Sequence, residues 1–198
     1  MPRPLLTTGI LIQWMRQHFT NPANIENPML REALWTADIA TTGIVIDSVF
    51  KWNPAQTEMR PGIFVKRNPW KILRYGIDDR KMVGVNNGCC VSTNTRIHNT
   101  MCQGSHTLFC ITGESAEAEL LAAEVYRELM EFGPVARAVF NFLRFTVTDV
   151  GEPSILEEAT EIFVVPVVVS YGAQDVWTVC SPPMSELSEL GFPMPKQQ

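Results

Sequence analysis

Histidine is scarce in this 198-residue chain, and the signatures that gather histidines, acids or glycines into catalytic or phosphate-binding sites are missing. The three histidines are His18, His98 and His106, and none has an acidic neighbour in a recognised arrangement. No GxSxG, P-loop, GxGxxG, HExxH or EF-hand loop occurs, so neither an enzyme nor a cofactor site is expected. The five cysteines (Cys89, Cys90, Cys102, Cys110 and Cys180) form an odd set without CxxC. That argues against a disulfide framework or a zinc ribbon and for reduced thiols in a cytoplasm. Long apolar runs are also missing: nothing approaches the roughly 18–20 residues that span a bilayer. The start, MPRPLLTTGILIQWMRQ, is broken by Pro4, charged at Arg16 and without a small-residue cleavage site, so neither secretion nor membrane insertion is expected.

Charge is sparse as well. Charged residues make up 19% of the chain, below the usual quarter or so. With 45% hydrophobic residues and five tryptophans, some apolar surface is expected to be buried against other subunits. The net charge of -5 argues against a protein held on nucleic acid by bulk positive charge. The charges are nevertheless sorted. Lys51, Arg60, Lys66, Arg67, Lys71, Arg74, Arg80 and Lys81 are half of all basic residues and meet only Glu58, Asp78 and Asp79. From Asp149 onward the sign reverses: Asp149, Glu152, Glu157, Glu158, Glu161, Asp175, Glu186 and Glu189 face only Lys196. Such polarity suits head-to-tail contact between identical copies; two separately solvated faces are the plain alternative.

The length fits one domain with extensions. Ile10, Leu11, Trp14, Met15 and His18 recur at helical spacing and predict a helix over 8–19, stopped by Asn21-Pro22. Leu30, Ala33, Leu34 and Ala37 predict another over 29–39. Ile44–Phe50 and Ile63–Val65 read as strands, with a turn at Asn68-Pro69. The segment 78–104 is rich in Asn, Thr, Ser and Gly without a period, and is expected to be a hairpin arm or long loop. His106–Ile111 alternates as a strand. Ala118, Leu121, Ala122, Val125, Leu129 and Phe132 form the stripe of a long helix over 114–132, ended by Gly133-Pro134. Phe140–Val147, Ile162–Tyr171 and Trp177–Val179 read as strands, with Pro166 expected at an edge, an end or a bulge. The prediction is an α+β fold, a largely antiparallel sheet with packed helices, over 1–180. Segment 78–104 is its inserted arm and 181–198 a Pro-rich extension.

Few side-chain groupings offer chemistry. His98, Cys102 and His106 are spaced by four and on a helix could hold zinc with Cys89 or Cys90, but Gly104 and the missing helical period remove that geometry, so no metal site is expected. Cys89-Cys90 would bridge only with distortion. Asp78-Asp79 and Glu157-Glu158 are neighbouring pairs on loops, solvated or else interface partners for the basic stretch. That stretch, with Trp52, Trp70 and Tyr75 among its cations, also admits a nucleic-acid-binding module as the rival class. A half-buried sheet with a basic edge is the more economical account.

Three stretches carry a likeness of pattern and order: GILIQWMRQHF with RPGIFVKRNPWKI, then HTLFCITGESAEAELLAAEVYRELMEF, then FLRFTVTDVGEP leading to EIFVVPVVVSYGAQDVWTV. Together, over about 8–180, they resemble the tail terminator family of tailed bacteriophages. The resemblance implies a structural subunit of the virion neck, assembled in the host cytoplasm. It would form a hexameric ring whose sheets build the inner wall and whose helices face outward, with DNA passing through the lumen. It implies as partners further copies of the chain, the tail tube protein and a head-completion or connector protein; a head-completion, stopper or tail-tube subunit is the neighbouring reading. The chain departs from the pattern through 78–104 and the tail after Cys180, read as arms that reach adjoining proteins. Lys66, Arg67, Lys71 and Arg74 are the expected contacts to a neighbour's acidic surface, with Glu157, Glu158 and Glu161 as their counterparts.

Overall fold

The computed structural model describes residues 4–53, 60–73, 95–156 and 159–180, and side chains over 6–53, 60–73, 101–156 and 162–174. Helix α1 (Pro4–Thr20) precedes strands β1 (Val45–Ser48), β2 (Gly62–Arg67), β3 (Lys71–Leu73) and β4 (Thr95–Thr112). Helices α2 (Ser115–Glu131) and α3 (Gly133–Phe140) follow, and then β5 (Phe142–Val150), β6 (Ser154–Leu156) and β7 (Ala159–Cys180). The strands form one seven-stranded sheet in the order β1-β2-β4-β7-β5, with β3 paired to β4 and β6 to β7. β1 runs parallel to β2, whereas the β2–β4, β5–β7 and β6–β7 pairs are antiparallel. The fold is therefore α+β with a mixed, mostly antiparallel sheet, as the sequence predicts.

The chain divides into two compact units, one of 1–71 with 102–173 and the other of 72–101 with 174–198. Strand β4 begins at Thr95 and β7 continues to Cys180. Residues 95–104 of the segment expected to be a hairpin arm or long loop are strand; 78–94 and the extension from 181 lie outside the described residues. Among the described residues no helix is long and apolar enough to cross a membrane.

Helix α1 starts earlier than its periodicity indicates, because Pro4 fits the first turn, where its missing N–H needs no partner. The 29–39 helix is replaced by a 3-10 turn at Pro28–Leu30 and irregular chain. Here side chains compete for the backbone: Asn27 accepts from Met29 N, Asp38 from Ala40 N and Thr42 Oγ1 from Thr36 N. Leu30, Ala33, Leu34 and Trp35 still reach the core, so their helical spacing reports burial without a helix. Gly133-Pro134 ends α2 as expected but also starts α3, with proline in its first turn. That moves the next strand from 140 to 142. Asn141, at φ 55, supplies the left-handed residue that ends α3.

Pro166 lies within the long central strand β7. Its carbonyl accepts from Gly151 N at 2.8 Å, and in an antiparallel ladder a residue's N–H and C=O point to the same neighbour. The missing donor therefore faces Gly151, just past the end of β5, and only the reciprocal bond of that one pair is forgone. A Cβ on Gly151 would meet Pro166 Cγ at 2.6 Å, so only glycine fits beneath the ring.

Burial separates the two sheet faces. Ile63, Val65, Leu108, Cys110, Val167, Val169 and Tyr171 share one cluster with Leu11, Met15 and Phe19 of α1 and Leu121, Val125 and Leu129 of α2. Phe64, Ile111 and Ile162, one residue out of phase, form a smaller cluster on the other face with Val49 and Trp52. Among the described residues that second face carries no α-helix.

Candidate assembly surfaces

The cations chosen from sequence do not form one patch. Lys66 and Arg67 end β2 and Lys71 begins β3, and all three are exposed. No ion pair joins any of them to a described residue. Alternation from Val65 puts Lys66, paired with Thr107, on the helix-free face, and Arg67, paired with His106, on the helix side. Arg74, Glu157 and Glu158 lie outside the described residues; Glu161 belongs to β7, its side chain outside them. The acids that the structure does place are Asp149, near the end of β5, and Glu152 in the following connection, both exposed. Of the charges singled out above, Lys66, Arg67 and Lys71 belong to β2 and β3, and Asp149 and Glu152 to the end of β5 and the connection after it; β5 also carries the exposed Arg144, and β1 carries Asp47.

Around Arg67 the helix side holds a buried polar group. His106 is fully buried, with Nε2 2.9 Å from Thr8 Oγ1 and its ring 5.5 Å from Tyr171. Burial, with the Arg67 charge added, lowers its pKa to about 4, so the imidazole is neutral at pH 7. A Cβ on Gly104 would lie 2.5 Å from Tyr171 Oη, so the glycine makes room for the phenol. Cys102 and His106 share a face of strand β4 but stand four residues, roughly 13 Å, apart along it, and not one turn apart on the helix that a zinc site would need. Among the described residues no three His, Cys, Asp or Glu side chains are grouped to hold a metal ion. Burial pushes the Cys110 thiol far up, which makes it inert.

The strongest buried network lies elsewhere and is absent from the sequence reading. His18 of α1 stands between two carboxylates of α2, with Nε2 3.1 Å from Glu124 and Nδ1 2.9 Å from Glu128. Trp14 Nε1 donates to Glu128 at 2.6 Å, and the backbone N–H groups of Glu26 and Asn27 donate to Glu124. Arg127 bridges Glu26 and Glu124. Burial lowers the His18 pKa, but the hydrogen bonds and charges of Glu128 and then Glu124 outweigh it, and the net direction is up. Each carboxylate oxygen has at least one partner, so the network fastens α1 to α2. The available signal was an ionisable residue on the buried stripe of each helix, His18 on one and Glu124 and Glu128 on the other.

No protein-family model matches the chain, and no curated protein matches it at a significant level. The surfaces must therefore be read on their own physics. One further concavity, a groove of about 1230 Å³ along α1 and α3, is lined by Leu6, Ile10, Phe132, Val135 and Val139, with Trp14, His18 and Glu128 also on its wall. Its apolar rim is exposed, Val139 at 68% and Leu6 at 57%.

Proposed function

We propose that the protein is a structural subunit of a bacteriophage neck ring of the tail-terminator type, which caps the tail tube, stops its polymerisation and offers a surface to the head. The observation that carries the reading is the separation of the charges singled out from the sequence, with Lys66, Arg67 and Lys71 on β2 and β3 and Asp149 and Glu152 at the end of β5 and just after it. Opposite charges at opposite sides of identical subunits favour a heterologous contact that repeats and closes if the rotation allows. Among the described residues the α-helices pack on one face of the sheet, which supports the same reading, since copies joined side to side would present that helical face on one wall of a ring. Exposed apolar side chains on α3 and at the start of α1 suit a second, axial partner such as the tube or a head-completion protein.

Action would then be geometric. A preformed ring surface fits the finished tube and covers its growing end, and specificity comes from matched patches without turnover. The test is a charge swap read by light scattering and negative-stain imaging, with purified tube supplied as a template. Lys66→Glu with Arg67→Glu is expected to abolish rings while leaving circular dichroism unchanged, and adding a second chain carrying Asp149→Lys and Glu152→Lys is expected to restore them. Normal rings from the Lys66→Glu, Arg67→Glu protein alone would refute the assignment.

A further inference from the structure

The groove along α1 and α3 is opened by a glycine that the subunit itself does not need. Gly9 lines it from the interior of α1, on the exposed side of the helix, and a Cβ there would meet no heavy atom within 4 Å. Glycine inside a helix is destabilising relative to alanine, and no close neighbour requires it here. What it permits is the close approach of another backbone. Leu6 and Ile10 flank it on α1, with Val135 and Val139 on the α3 side, each pair one helical turn apart. Leu6, Val135 and Val139 are all more than half exposed. From Leu6 to Arg16, which also lines the groove, α1 rises roughly 15 Å, the length of about five residues of extended chain. Among the lining charges His18 is paired with Glu128, and Arg16 and Lys51 share one acid, Asp47, which leaves a positive charge over. Glu131, on the α2 side, forms no ion pair with a described residue. Residues 181–198, SPPMSELSELGFPMPKQQ, carry the complementary pattern: Met184, Leu187, Leu190, Phe192 and Met194 are large and apolar, Glu186 and Glu189 are the acids, and Lys196 follows.

We infer that this groove seats the segment 184–194 of a second copy of the chain. Leu187, Leu190 and Phe192 of the incoming segment pack against Leu6, Ile10, Val135 and Val139, and its backbone passes over Gly9. Burying such a cluster removes apolar surface that both the groove and the segment would otherwise leave in water. Glu186 and Glu189 face the surplus cation of Arg16 and Lys51, and Lys196 is left for Glu131. Every copy carries one groove and one such segment, so the exchange is heterologous and repeats around a closed set of subunits. Each seated segment also acts as a second site linked to the charge contact between the same two copies, which raises the strength of both together. The inference rests on the ring reading only for which copy supplies the segment; an axial partner would meet α3 with that segment laid beside it.

The experiment has two arms. In the first, a synthetic peptide of residues 181–198 is titrated into the ¹⁵N-labelled full chain carrying Leu187→Glu and Leu190→Glu, whose own segment cannot compete. Amide shifts are expected at Gly9, Ile10, Val135 and Val139, and a peptide with the same two substitutions should cause none. Gly9→Leu in the labelled chain is expected to raise its melting temperature, because leucine is the better helix former and meets no neighbour, and yet to abolish the shifts. In the second arm, rings are assembled on purified tube from mixed ¹⁴N and ¹⁵N chains with p-benzoylphenylalanine at position 192. Irradiation should give cross-links to α1 or α3 that join a ¹⁴N peptide to a ¹⁵N one in mass spectra. The inference is overturned if the peptide causes no shifts, if they map away from α1 and α3, if the substituted peptide or Gly9→Leu gives the same shifts, or if every cross-link lies within one chain. Rings without peptide shifts would defeat this inference alone, and peptide shifts without rings would defeat the ring reading alone.

Discussion

Acid should destabilise this protein well before its carboxylates titrate, and His106 should be the reason. The ring is fully buried, and burial together with Arg67 lowers its pKa from 6.5 to about 4. A histidine whose folded pKa is depressed binds fewer protons folded than unfolded. Its contribution is fully present above 6.5 and is lost as pH falls toward 4. Between pH 7 and pH 5 the loss amounts to about 2 kcal/mol, a large part of the margin of an ordinary domain. Urea unfolding at each pH, followed by circular dichroism, measures it. Glu117, whose pKa is raised by burial and by Glu114, works in the opposite sense near the acid end of the window, so the difference between two proteins isolates the histidine better than a single curve. His106→Phe keeps the ring against Tyr171 and cannot titrate; its stability should vary about 2 kcal/mol less over this interval, whatever its value at pH 7. Equal slopes for the two proteins would refute the claim that the neutral imidazole is what burial demands.

Above neutrality the other buried histidine takes over with the opposite sign. The raised pKa of His18 means that its contribution is complete below 6.5 and fades as pH rises through the folded value, so stability should decline on the alkaline side and His18→Gln should flatten that decline. His18→Leu removes the partner shared by Glu124 and Glu128, leaving Glu124 with Arg127 and Glu128 with no described cation, and is expected to cost about 3–5 kcal/mol at pH 7, read as a lower urea midpoint; a loss under 1 kcal/mol would mean that the carboxylates relax to water. Gly104→Ala drives a methyl into Tyr171 Oη and is expected to cost about 1–3 kcal/mol, with the ring resonances of Tyr171 shifted in NMR spectra. Asn141→Val at φ 55 should lower the melting temperature through strain at the end of α3, whereas Asn141→Gly should be nearly neutral.

What could be read from sequence was whatever is periodic. The stripe from Ala118 to Leu129 located α2, and the β-branched run from Ile162 located the centre of β7, because burial on one face leaves a regular imprint. The 29–39 segment shows the limit. Leu30, Leu34 and their neighbours are buried at helical spacing, yet Asn27, Asp38 and Thr42 hold the backbone in turns, and hydrophobic spacing records what is buried and not how the chain arrives there. Charge was legible in amount but not in direction. Lys66 and Arg67 are adjacent in sequence and point to opposite faces, so a basic run became two surfaces once strand alternation was applied. The His18 clamp escaped because its members lie about a hundred residues apart and each looks unremarkable within its own helix.

In the proposed ring subunit the clamp would bear on assembly through rigidity. A subunit that acts by presenting a preformed surface loses affinity for every degree of freedom that must be frozen on contact. Helix α1 is fastened twice, by Thr8 to His106 near its start and by Trp14 and His18 to Glu124 and Glu128 near its end, and Arg16 ties it to the carbonyl of Ile46 in the edge strand β1. These bonds join α1 to β4, α2 and β1, so the helix cannot slide over the sheet without breaking buried polar contacts, which are costly to leave unmade. Apolar packing alone would hold the helix but tolerate small shifts in register, since hydrophobic burial has no direction. The polar fastenings remove that tolerance. If the ring reading holds, loosening them should impair ring formation under conditions where the fold survives: Glu128→Gln weakens the partner of Trp14 and His18 without removing its bulk. Its rings should require higher subunit concentration than wild type at equal helical content, and unchanged concentration dependence would show that α1's fastening serves stability alone.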